Sequence, residues 1–407
     1  MVQTVAVLGG GPAGATVATL LSRAGKTVAL FHTEKRPDLI VGESHVPAVI
    51  PILRRLGVES AVAATSTLKR GATVTFSATD RYRLPFAAAA GSLPDYSYQT
   101  PRDVFDDILL AAARESGASM IPRTARLRRR GATRVCLDDA SLEATDRLFG
   151  SAEPDLIVDA TGRARLIART LKLPTVRGAR RDVSLFAHYD RVKFDDPGDV
   201  HADRNTLGWS WRVPLPGKAS LGIVVDPRHL GGGSREAQFE RFVAQDPVTR
   251  AAEAGTRVSG VARYDNYQLH TSQLAGSGWA LAGDSAGFAD PIFSTGTYLA
   301  LRGAEMLADA LIDGRHRAVE RYQADWLAEL RTWQALADLW YDGRLFSLLR
   351  TRRQMRRIGP GRMLDAHIGK HLTRIFTGEA AGERYGQALV ASIAPLGRLG
   401  ARALAIR

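Results

Sequence analysis

The sequence predicts an α/β fold, because three short, mainly apolar segments each run into a glycine-containing turn. These segments are residues 5–8 before the glycine-rich run 9–14, residues 156–159 before Gly162, and residues 279–282 before Gly283. Apolar runs of this length are typical of parallel strands that are buried on both faces. Ligands of such sheets bind beyond the carboxyl ends of the strands, so the three segments predict one shared site.

Residues 9–14 (Gly-Gly-Gly-Pro-Ala-Gly) predict a loop that binds the pyrophosphate of a dinucleotide. Gly9 permits the tight turn, Gly11 lets the backbone approach the phosphates, and Gly14 permits close helix packing. A predicted helix over residues 15–24 follows, and its free N–H groups and dipole favour an anion at its start. A second apolar strand, residues 28–31, completes the pattern. We assign cofactor contacts to Gly9, Gly11, Pro12, Ala13 and Gly14.

The second strand ends without the carboxylate that usually binds the adenosine ribose. His32 occupies the expected position, and Glu34 is the nearest acid. An imidazole can also hydrogen-bond a hydroxyl group. The ribose contact is therefore left open between His32 and Glu34.

Further polar residues occur where the predicted fold would present them to a ligand. Glu43 and Ser44, in the segment 42–47, could surround a ring-shaped ligand. Arg102 begins a predicted helix, where a cation gains nothing from the helix dipole, so we expect it to serve a ligand anion. The remaining candidates lie at strand ends and are Asp159, Gly162, Gly283 and Asp284.

Composition narrows the class of protein. The chain has 407 residues, of which 45% are hydrophobic and 24% are charged, as in ordinary globular proteins. A single cysteine, Cys136, allows no internal disulfide, and no cysteine or histidine set has metal-ligand spacing. We expect a cytoplasmic enzyme with no signal peptide and no transmembrane segment.

The formal net charge of +13 indicates either an acidic protein partner or simply an arginine-rich composition. No nucleic-acid-binding module is recognisable. Both explanations of the charge therefore stay open. Because no such module is recognisable, we expect no nucleic-acid partner.

Six motifs together resemble a known family. Residues 9–14, 159–163 and 283–284 resemble the FAD segments of the glutathione-reductase-type flavin monooxygenases. Within that superfamily, residues 42–47, 208–214 (Gly-Trp-Ser-Trp-Arg-Val-Pro) and 290–296 (Asp-Pro-Ile-Phe-Ser-Thr-Gly) resemble flavin-dependent halogenases. The resemblance covers about residues 1–310 and implies FAD, supplied as FADH2 by a separate flavin reductase, and a halide ion. It also implies hypohalous acid as the halogenating species.

The resemblance implies a role for Lys69, which precedes a Gly-Ala segment, in delivering chlorine or bromine to the substrate. Lysine is a compact donor that suits this task better than an arginine fork. It would either hydrogen-bond hypohalous acid or form a haloamine, and burial would lower its pKa. The family also implies that Trp209 and Trp211, which share one face of a strand, wall the tunnel together with Pro214 and Phe293.

The segment 290–296 is implied to form the flavin and halide loop. Backbone N–H groups near Ser294, Thr295 and Gly296 could bind a halide as an anion nest, and Pro291 and Gly296 would contact the flavin. Tryptophan halogenases carry a glutamate where this chain has Phe293. The resemblance therefore argues against free tryptophan and favours phenols, pyrroles or acyl groups tethered to a carrier protein.

These assignments predict three units. A Rossmann-like, three-layer FAD-binding domain would comprise residues 1–75, 98–175 and 265–315. A β-sheet substrate domain would comprise 76–97 and 176–264, and a helical region 316–407. In that last region, Trp326, Trp333 and Trp340 have a spacing of seven and predict one packed helical face.

A basic stripe in the helical region is either a solvated face or a docking site for an acidic acyl carrier protein. Its members are Arg352, Arg353, Arg356 and Arg357.

Two other functions fit the FAD motifs alone, namely a hydroxylase or epoxidase, and a reductase of isoprenoid chains. A third reading is a catalytically inert flavin-binding scaffold or redox sensor. The hydroxylase or epoxidase needs neither Lys69 nor the paired tryptophans, whereas the isoprenoid reductases also have an aromatic motif that resembles W-x-W. The sequence leaves open the substrate, the position that is halogenated and the choice of chloride or bromide.

Overall fold

A computed structural model of the protein describes residues 2–34, 37–77, 80–245, 255–355, 361–379, 384–396 and 401–406. In those ranges the strands are β1 (Thr4–Leu8), β2 (Thr27–Phe31), β3 (Thr67–Lys69), β4 (Gly71–Thr75), β5 (Arg81–Pro85), β6 (Ser97–Gln99), β7 (Ser119–Ile121), β8 (Leu127–Arg130), β9 (Arg134–Leu137), β10 (Leu156–Asp159), β11 (Thr175–Tyr189), β12 (Val200–Arg204), β13 (Gly208–Leu215), β14 (Lys218–Val225), β15 (Ala262–Thr271), β16 (Ala275–Gly276), β17 (Trp279–Leu281) and β18 (Gly287–Phe288).

The helices in the same ranges are α1 (Pro12–Arg23), α2 (Ile50–Leu56), α3 (Glu59–Ala64), α4 (Arg102–Glu115), α5 (Asp139–Glu143), α6 (Asp146–Phe149), α7 (Leu166–Leu171), α8 (Arg235–Gln245), α9 (Thr295–Asp313), α10 (His316–Tyr341), α11 (Arg344–Met355), α12 (Gly361–Thr377), α13 (Arg384–Leu396) and α14 (Ala401–Leu404). Short 3₁₀ helices cover Pro47–Val49, Phe86–Ala89, Gly162–Ala164, Pro227–His229 and Gly283–Ser285.

A six-stranded sheet brings the three predicted strand ends together. Its order is β16-β17-β10-β1-β2-β7, and the strands from β17 to β7 run parallel. Leu8 lies opposite Asp159, and Asp159 lies opposite Leu281, so the three glycine turns leave the sheet side by side. The predicted α/β class is confirmed, and the turns face a common site.

An eight-stranded, mainly antiparallel sheet forms the second layer, in the order β18-β15-β11-β14-β13-β12-β4-β5. It already includes β4, which begins at Gly71, and it extends past β15 to β18, which ends at Phe288. The sheet therefore begins before the predicted boundary at residue 76 and ends after the one at 264. Strand pairing across distant segments sets these limits, because β4 pairs with β12 in parallel.

Strand β13 carries the tryptophan motif and forms an antiparallel hairpin with β14. Trp211 lies opposite Gly222, where a Cβ atom would come within 2.1 Å of the Trp211 ring. Gly222 thus leaves the space that the Trp211 indole fills.

Helix α10 packs its predicted tryptophan face into the core. Trp326, Trp333 and Trp340 are all buried, and the indole N–H of Trp326 donates to the carbonyl of Leu299 at 3.2 Å. The structure therefore confirms core packing for this stripe. In the described ranges, no helix combines the length and apolarity that crossing a membrane requires.

Candidate active site

A cavity of about 460 Å³ lies between the two sheets. It is lined by the glycine loop, residues 40–44, Lys69, the turn 160–164, strands β12 and β13, residues 282–284, 291–294, 296 and 297, and Phe376. Its volume falls in the range of cofactor and substrate pockets. Most of the predicted site residues therefore share one space.

The glycine loop is shaped by close backbone contacts at two positions and left open at a third. A Cβ atom at Gly9 (φ +111°) would lie 2.3 Å from the carbonyl oxygen of Ala160, and one at Gly14 would lie 1.8 Å from that of Gly9. A Cβ atom at Gly11 would meet nothing within 4 Å. Gly11 lines the cavity at the start of α1, whose first N–H groups lack partners within the helix. The loop thus fits a phosphate group.

The Asp159 carboxylate is hydrogen-bonded within the protein. Its carboxylate accepts hydrogen bonds from the Thr161 N–H (2.9 Å), the Thr161 hydroxyl (2.6 Å) and the Ile167 N–H (2.7 Å). Burial raises the pKa of Asp159. The side chain does not line the cavity, whereas Ala160 and Gly162 do. The structure therefore does not give the Asp159 side chain the predicted direct cofactor contact: Asp159 instead shapes the turn that faces the cavity.

Other predicted contacts also lie outside the cavity lining of the described chain. His32 and Glu34 follow β2, beside the glycine loop, so the ribose contact stays a prediction. Pro214 is buried in β13 opposite Ala219 and does not line the cavity, whereas Val213 does. Gly14 acts through packing against Gly9.

Arg102 and Asp284 face the cavity from α4 and from the turn after β17. The Arg102 guanidinium donates to both carboxylate oxygens of Asp106 (3.0 and 3.2 Å) and to the carbonyl of Val41 (2.5 Å). The ion pair with Asp106 stabilises the Arg102 cation at the start of α4, where the helix dipole does not favour it. Burial raises the pKa of Asp284 to about 6, although Arg102 and Arg163 act in the opposite direction.

Lys69 ends β3 and is only 2% exposed. Its Nζ donates to the hydroxyl of Ser44 at 2.9 Å and to the carbonyl of His45 at 2.8 Å, and the residue lines the cavity. Burial lowers the pKa of Lys69 to about 7, and the negative charge of Asp199 opposes that shift. A lysine in this setting has a substantial neutral fraction near pH 7.

Trp209 and Trp211 project from the same face of β13 into the cavity lining, with ring centroids 5.9 Å apart. The indole N–H of Trp209 donates to the Tyr341 hydroxyl at 3.0 Å. That hydroxyl donates to Asp290 at 3.3 Å. Trp211 donates to the hydroxyl of Ser220 at 3.2 Å. Tyr341 thus links the tryptophan wall to the segment 290–296, a connection that the sequence did not reveal.

The segment 290–296 turns sharply into α9. The Asp290 carboxylate accepts from the Ile292 N–H at 3.0 Å, and its carbonyl accepts from the Thr295 hydroxyl at 3.1 Å. Ser294 has a left-handed backbone (φ +58°), and the helix begins at Thr295. Ser294 and Gly296 line the cavity, whereas the Thr295 side chain is buried behind them. A 19-residue helix thus starts at the cavity, which fits an anion.

Burial raises the pKa of Asp290 to about 7, and Asp182 adds to that shift. Phe293 packs against Trp333, Trp340 and Phe376, with centroid distances of 5.1 to 6.3 Å. An aromatic cluster therefore surrounds Phe293 at the wall of the cavity.

Two histidines near the site were not predicted. His188 of β11 lies with its Nε2 2.8 Å from Oε1 of Glu43. His45 is buried, and burial lowers its pKa to about 3. No local pattern marks His188, because its partner is 145 residues away in the chain. No cluster of three or more metal-binding side chains occurs in the part of the chain described.

Comparison with known proteins decides the family. The sequence profile described as tryptophan halogenase matches residues 4–94 and 87–344. The chain belongs to the tryptophan halogenase family. Its relatives are named as flavin-dependent halogenases, so the predicted family, with FAD as its cofactor and halide as its co-substrate, is confirmed.

Two curated relatives illustrate the range of substrates in the family. A tryptophan 2-halogenase of Chondromyces crocatus is 27% identical over 360 residues, which are 83% of this chain and 67% of the relative. A chlorinase of 1H-pyrrole-2-carbonyl-[peptidyl-carrier protein] from Pseudomonas fluorescens is 27% identical over 354 residues, 76% of this chain and 75% of the relative. The chain spans about two thirds of the length of several relatives that it matches.

Solved structures confirm the fold. A flavoprotein/dehydrogenase from Cytophaga hutchinsonii superposes with a TM-score of 0.82 at 22% identity, covering 97% of this chain and 98% of the other. The myxobacterial chondrochloren halogenase, described as a variant of FAD-dependent halogenases, has a TM-score of 0.73 at 25% identity, covering 83% and 82%. The fold of nearly the whole chain thus occurs in a solved structure.

Proposed function

We propose that the protein halogenates an electron-rich ring, through a hypohalous acid that Lys69 presents to the substrate. The observation that carries this proposal is the buried Lys69 amine, which shares one cavity with the glycine loop, the start of α9 and the paired tryptophans. Bound FAD, when supplied reduced by a separate reductase, would provide the hypohalous acid from oxygen and halide. The chain's own residues would hold that oxidant and direct it.

We propose that the dinucleotide lies along the glycine loop and the turns 160–164 and 282–284. The Gly11 backbone would face its pyrophosphate, and the Asp284 carboxylate would accept hydrogen bonds from its hydroxyl groups. Glu43, Ser44, Arg102, Pro291 and Gly296 line the same cavity, and the start of α9 is proposed as the halide site.

Asp284→Ala is expected to yield protein that purifies without yellow colour, because a lining carboxylate is lost from the proposed cofactor site. Flavin absorbance per protein after purification measures the loss. The matched control is Asp325→Ala, which removes an exposed carboxylate from α10. Full FAD content in Asp284→Ala would contradict the assignment.

The rate of halogenation is expected to change with pH around 7, close to the pKa of Lys69 and far from that of an exposed lysine. Formation of a haloamine requires the neutral amine of Lys69. By this route the rate of halogenation would rise as pH increases through 7. Hydrogen bonding to hypohalous acid by the ammonium would give a rate that falls over the same interval. Single-turnover product formation from pH 5.5 to 9 distinguishes these roles, and a flat profile through pH 7 would contradict both.

We propose that Trp209 and Trp211 separate the flavin from the substrate, so that oxygen is not transferred directly. Both indoles are fixed by hydrogen bonds, and Trp209 also packs edge-on against Trp340 at 6.2 Å. A wall of fixed aromatic rings excludes water and would confine the oxidant.

We propose a phenol, a pyrrole or a carrier-tethered acyl group as the substrate, because Phe293 takes the place of the glutamate that tryptophan halogenases carry at this position of the segment 290–296. The pyrrolyl-carrier chlorinase among the relatives supports the tethered class. An acidic carrier would dock on a basic surface, which suits the net charge of +13. The predicted stripe lies outside what the structure describes. Arg356 and Arg357 are not among the described residues, and for Arg352 and Arg353 only the backbone is described.

Turnover of a carrier-bound pyrrolyl substrate is expected to fall with added sodium sulfate more steeply than turnover of a free phenol. Exposed charges are screened beyond about 8 Å at physiological ionic strength, and docking charges act mainly on the association rate. Reversal of the four stripe arginines to glutamate is expected to weaken carrier use without loss of FAD. Equal salt dependence for the two substrates would favour a freely diffusing substrate.

A further inference from the structure

The end of helix α10 supports the cavity from behind. Its last residue, Tyr341, is buried and does not itself line the described cavity. The Tyr341 hydroxyl nevertheless contacts two elements that do line it. It accepts the indole N–H of Trp209 at 3.0 Å and donates to Oδ1 of Asp290 at 3.3 Å. One buried hydroxyl thus joins strand β13 to the segment 290–296.

The Tyr341 ring is fixed by a third element, strand β11. The guanidinium carbon of Arg180 lies 3.7 Å from the ring centroid. The same guanidinium donates to both carboxylate oxygens of Asp182, at 2.6 and 2.8 Å. A bidentate pair of this kind fixes the plane of the guanidinium, which then packs on the ring as a cation. The Tyr341 carbonyl also accepts the Ile406 N–H at 2.8 Å. The hydroxyl is therefore held in place from several sides.

Both partners of the Tyr341 hydroxyl belong to the proposed halogenation site. Oδ1 of Asp290 also accepts the Ile292 N–H at 3.0 Å, and the Asp290 carbonyl accepts the Thr295 hydroxyl at 3.1 Å. Thr295 is the first residue of α9, where we place the halide. Trp209 is part of the tryptophan wall. The hydroxyl thus sets the position of the Trp209 indole relative to the start of α9.

Loss of this hydroxyl would leave the Trp209 N–H without the acceptor that it has in the structure. Trp209 is only 2% exposed, so its N–H would carry the full cost of desolvation. Rotation of the indole toward another acceptor relieves that cost and separates the wall from the segment 290–296. A small neutral oxidant such as hypohalous acid passes through a gap that a fixed ring closes.

We propose that Tyr341 is a positioning residue that keeps hypohalous acid inside the cavity, by holding the Trp209 indole against the segment 290–296. This inference rests on the proposed halogenation and adds to it the residue that closes the wall. Tyr341 touches neither the oxidant nor the substrate ring, and its effect passes through Trp209. The hydroxyl therefore controls where the oxidant reacts rather than how fast it is formed.

The test uses Tyr341→Phe, which removes the hydroxyl and keeps a ring against Arg180. The enzyme, with a flavin reductase, chloride and catalase, is offered 1,3,5-trihydroxybenzene together with a methionine-containing peptide. The peptide is too large for a cavity of about 460 Å³ and captures escaped hypochlorous acid as methionine sulfoxide. The ratio of sulfoxide to chlorinated ring is expected to rise about tenfold in the variant, the scale of one buried hydrogen bond. FAD content and the rate of FADH2 oxidation are expected to stay at the wild-type level.

Two further measurements test whether the effect passes through Trp209. In protein with isotope-labelled tryptophan, the Trp209 indole N–H is identified by its loss in Trp209→Phe. In Tyr341→Phe its resonance is expected to shift and to exchange faster with solvent, whereas the Trp211 N–H, which is bonded to Ser220, is expected to stay unchanged. In a double-mutant cycle, Tyr341→Phe is expected to add nothing to the sulfoxide ratio in the Trp209→Phe background. Additive effects would contradict the proposal.

The matched control is Tyr322→Phe, also on α10, which removes a buried hydroxyl that donates to the carbonyl of Leu281 at 2.5 Å. It is expected to lower the melting temperature and keep the wild-type ratio. If Tyr341→Phe does not fold, Arg180→Lys keeps the charge beside Asp182 but loses the planar contact with the ring, and the ratio is expected to rise.

A wild-type ratio in folded Tyr341→Phe, or in Arg180→Lys where it replaces that variant, would overturn the inference and leave the proposed halogenase standing. A wild type that consumes FADH2 but forms neither chlorinated ring nor sulfoxide would overturn the proposed function, and this inference with it.

Discussion

Lys69→Ala is expected to lower halogenated product by at least about a thousandfold, the scale of removing a catalytic group. FAD binding and the oxidation of FADH2 are expected to continue, because Lys69 bonds to Ser44 and His45 rather than to the glycine loop. Mass spectrometry of the product and flavin absorbance, measured on the same protein, separate the two effects.

The matched control is Lys193→Ala, which removes an exposed lysine before β12 and is expected to be silent. Lys69→Arg is expected to fail as well, because a guanidinium stays charged and is too broad for a site that holds one amine. Substantial halogenation by Lys69→Ala would contradict the proposed delivery role and would favour a hydroxylase with adventitious halogenation.

Gly11→Ala and Gly14→Ala are expected to abolish FAD binding for different reasons. The added methyl at Gly14 would come within 1.8 Å of a backbone oxygen, so α1 must shift, and the free energy of unfolding should fall by about 1–3 kcal/mol or more. The methyl at Gly11 enters open space inside the cavity, where we place the pyrophosphate. Gly11→Ala should therefore lose FAD while losing only about 1 kcal/mol of stability in the flavin-free protein.

Thermal unfolding of flavin-free protein and titration with FAD measure the two quantities separately. Gly25→Ala tests the effect of a methyl at a glycine that lies far from the cavity, at the end of α1, and is expected to leave FAD affinity unchanged. FAD affinity of the wild-type level in Gly11→Ala would contradict the proposed path of the pyrophosphate.

Local chemistry explains why much of the fold and site could be predicted from sequence. Gly9 and Gly14 are required by contacts within a few residues or with one neighbouring strand, so their spacing alone predicted the turn. The tryptophan pair was predicted to share a face because strand periodicity is local. No such rule predicts the burial of Lys69. It was expected only from the resemblance of its segment to the halogenases.

Two kinds of contact explain what the sequence could not provide. The first is local: Asp159 was assigned to the cofactor because it ends a strand, but its carboxylate is satisfied within the following turn, by Thr161 and Ile167. The second is pairing between distant parts of the chain. Glu43 and His188 meet across 145 residues, and Trp209 meets Tyr341 across 132. The limits of the second sheet depend likewise on β4 pairing with β12. None of these contacts leaves a periodic trace in the chain.

The central claim is that the cavity directs electrophilic halogen, rather than oxygen or hydride, to a ring. The most direct test incubates the protein with a flavin reductase, NADH, FAD, oxygen and either chloride or bromide, and offers free phenols and a carrier-bound pyrrolyl group. High-resolution mass spectrometry is expected to show replacement of one ring hydrogen by halogen, with the isotope pattern following the halide supplied and with loss of product in Lys69→Ala. A product that gains oxygen or two hydrogens, whatever the halide, would contradict the claim and identify the protein as a hydroxylase or a reductase.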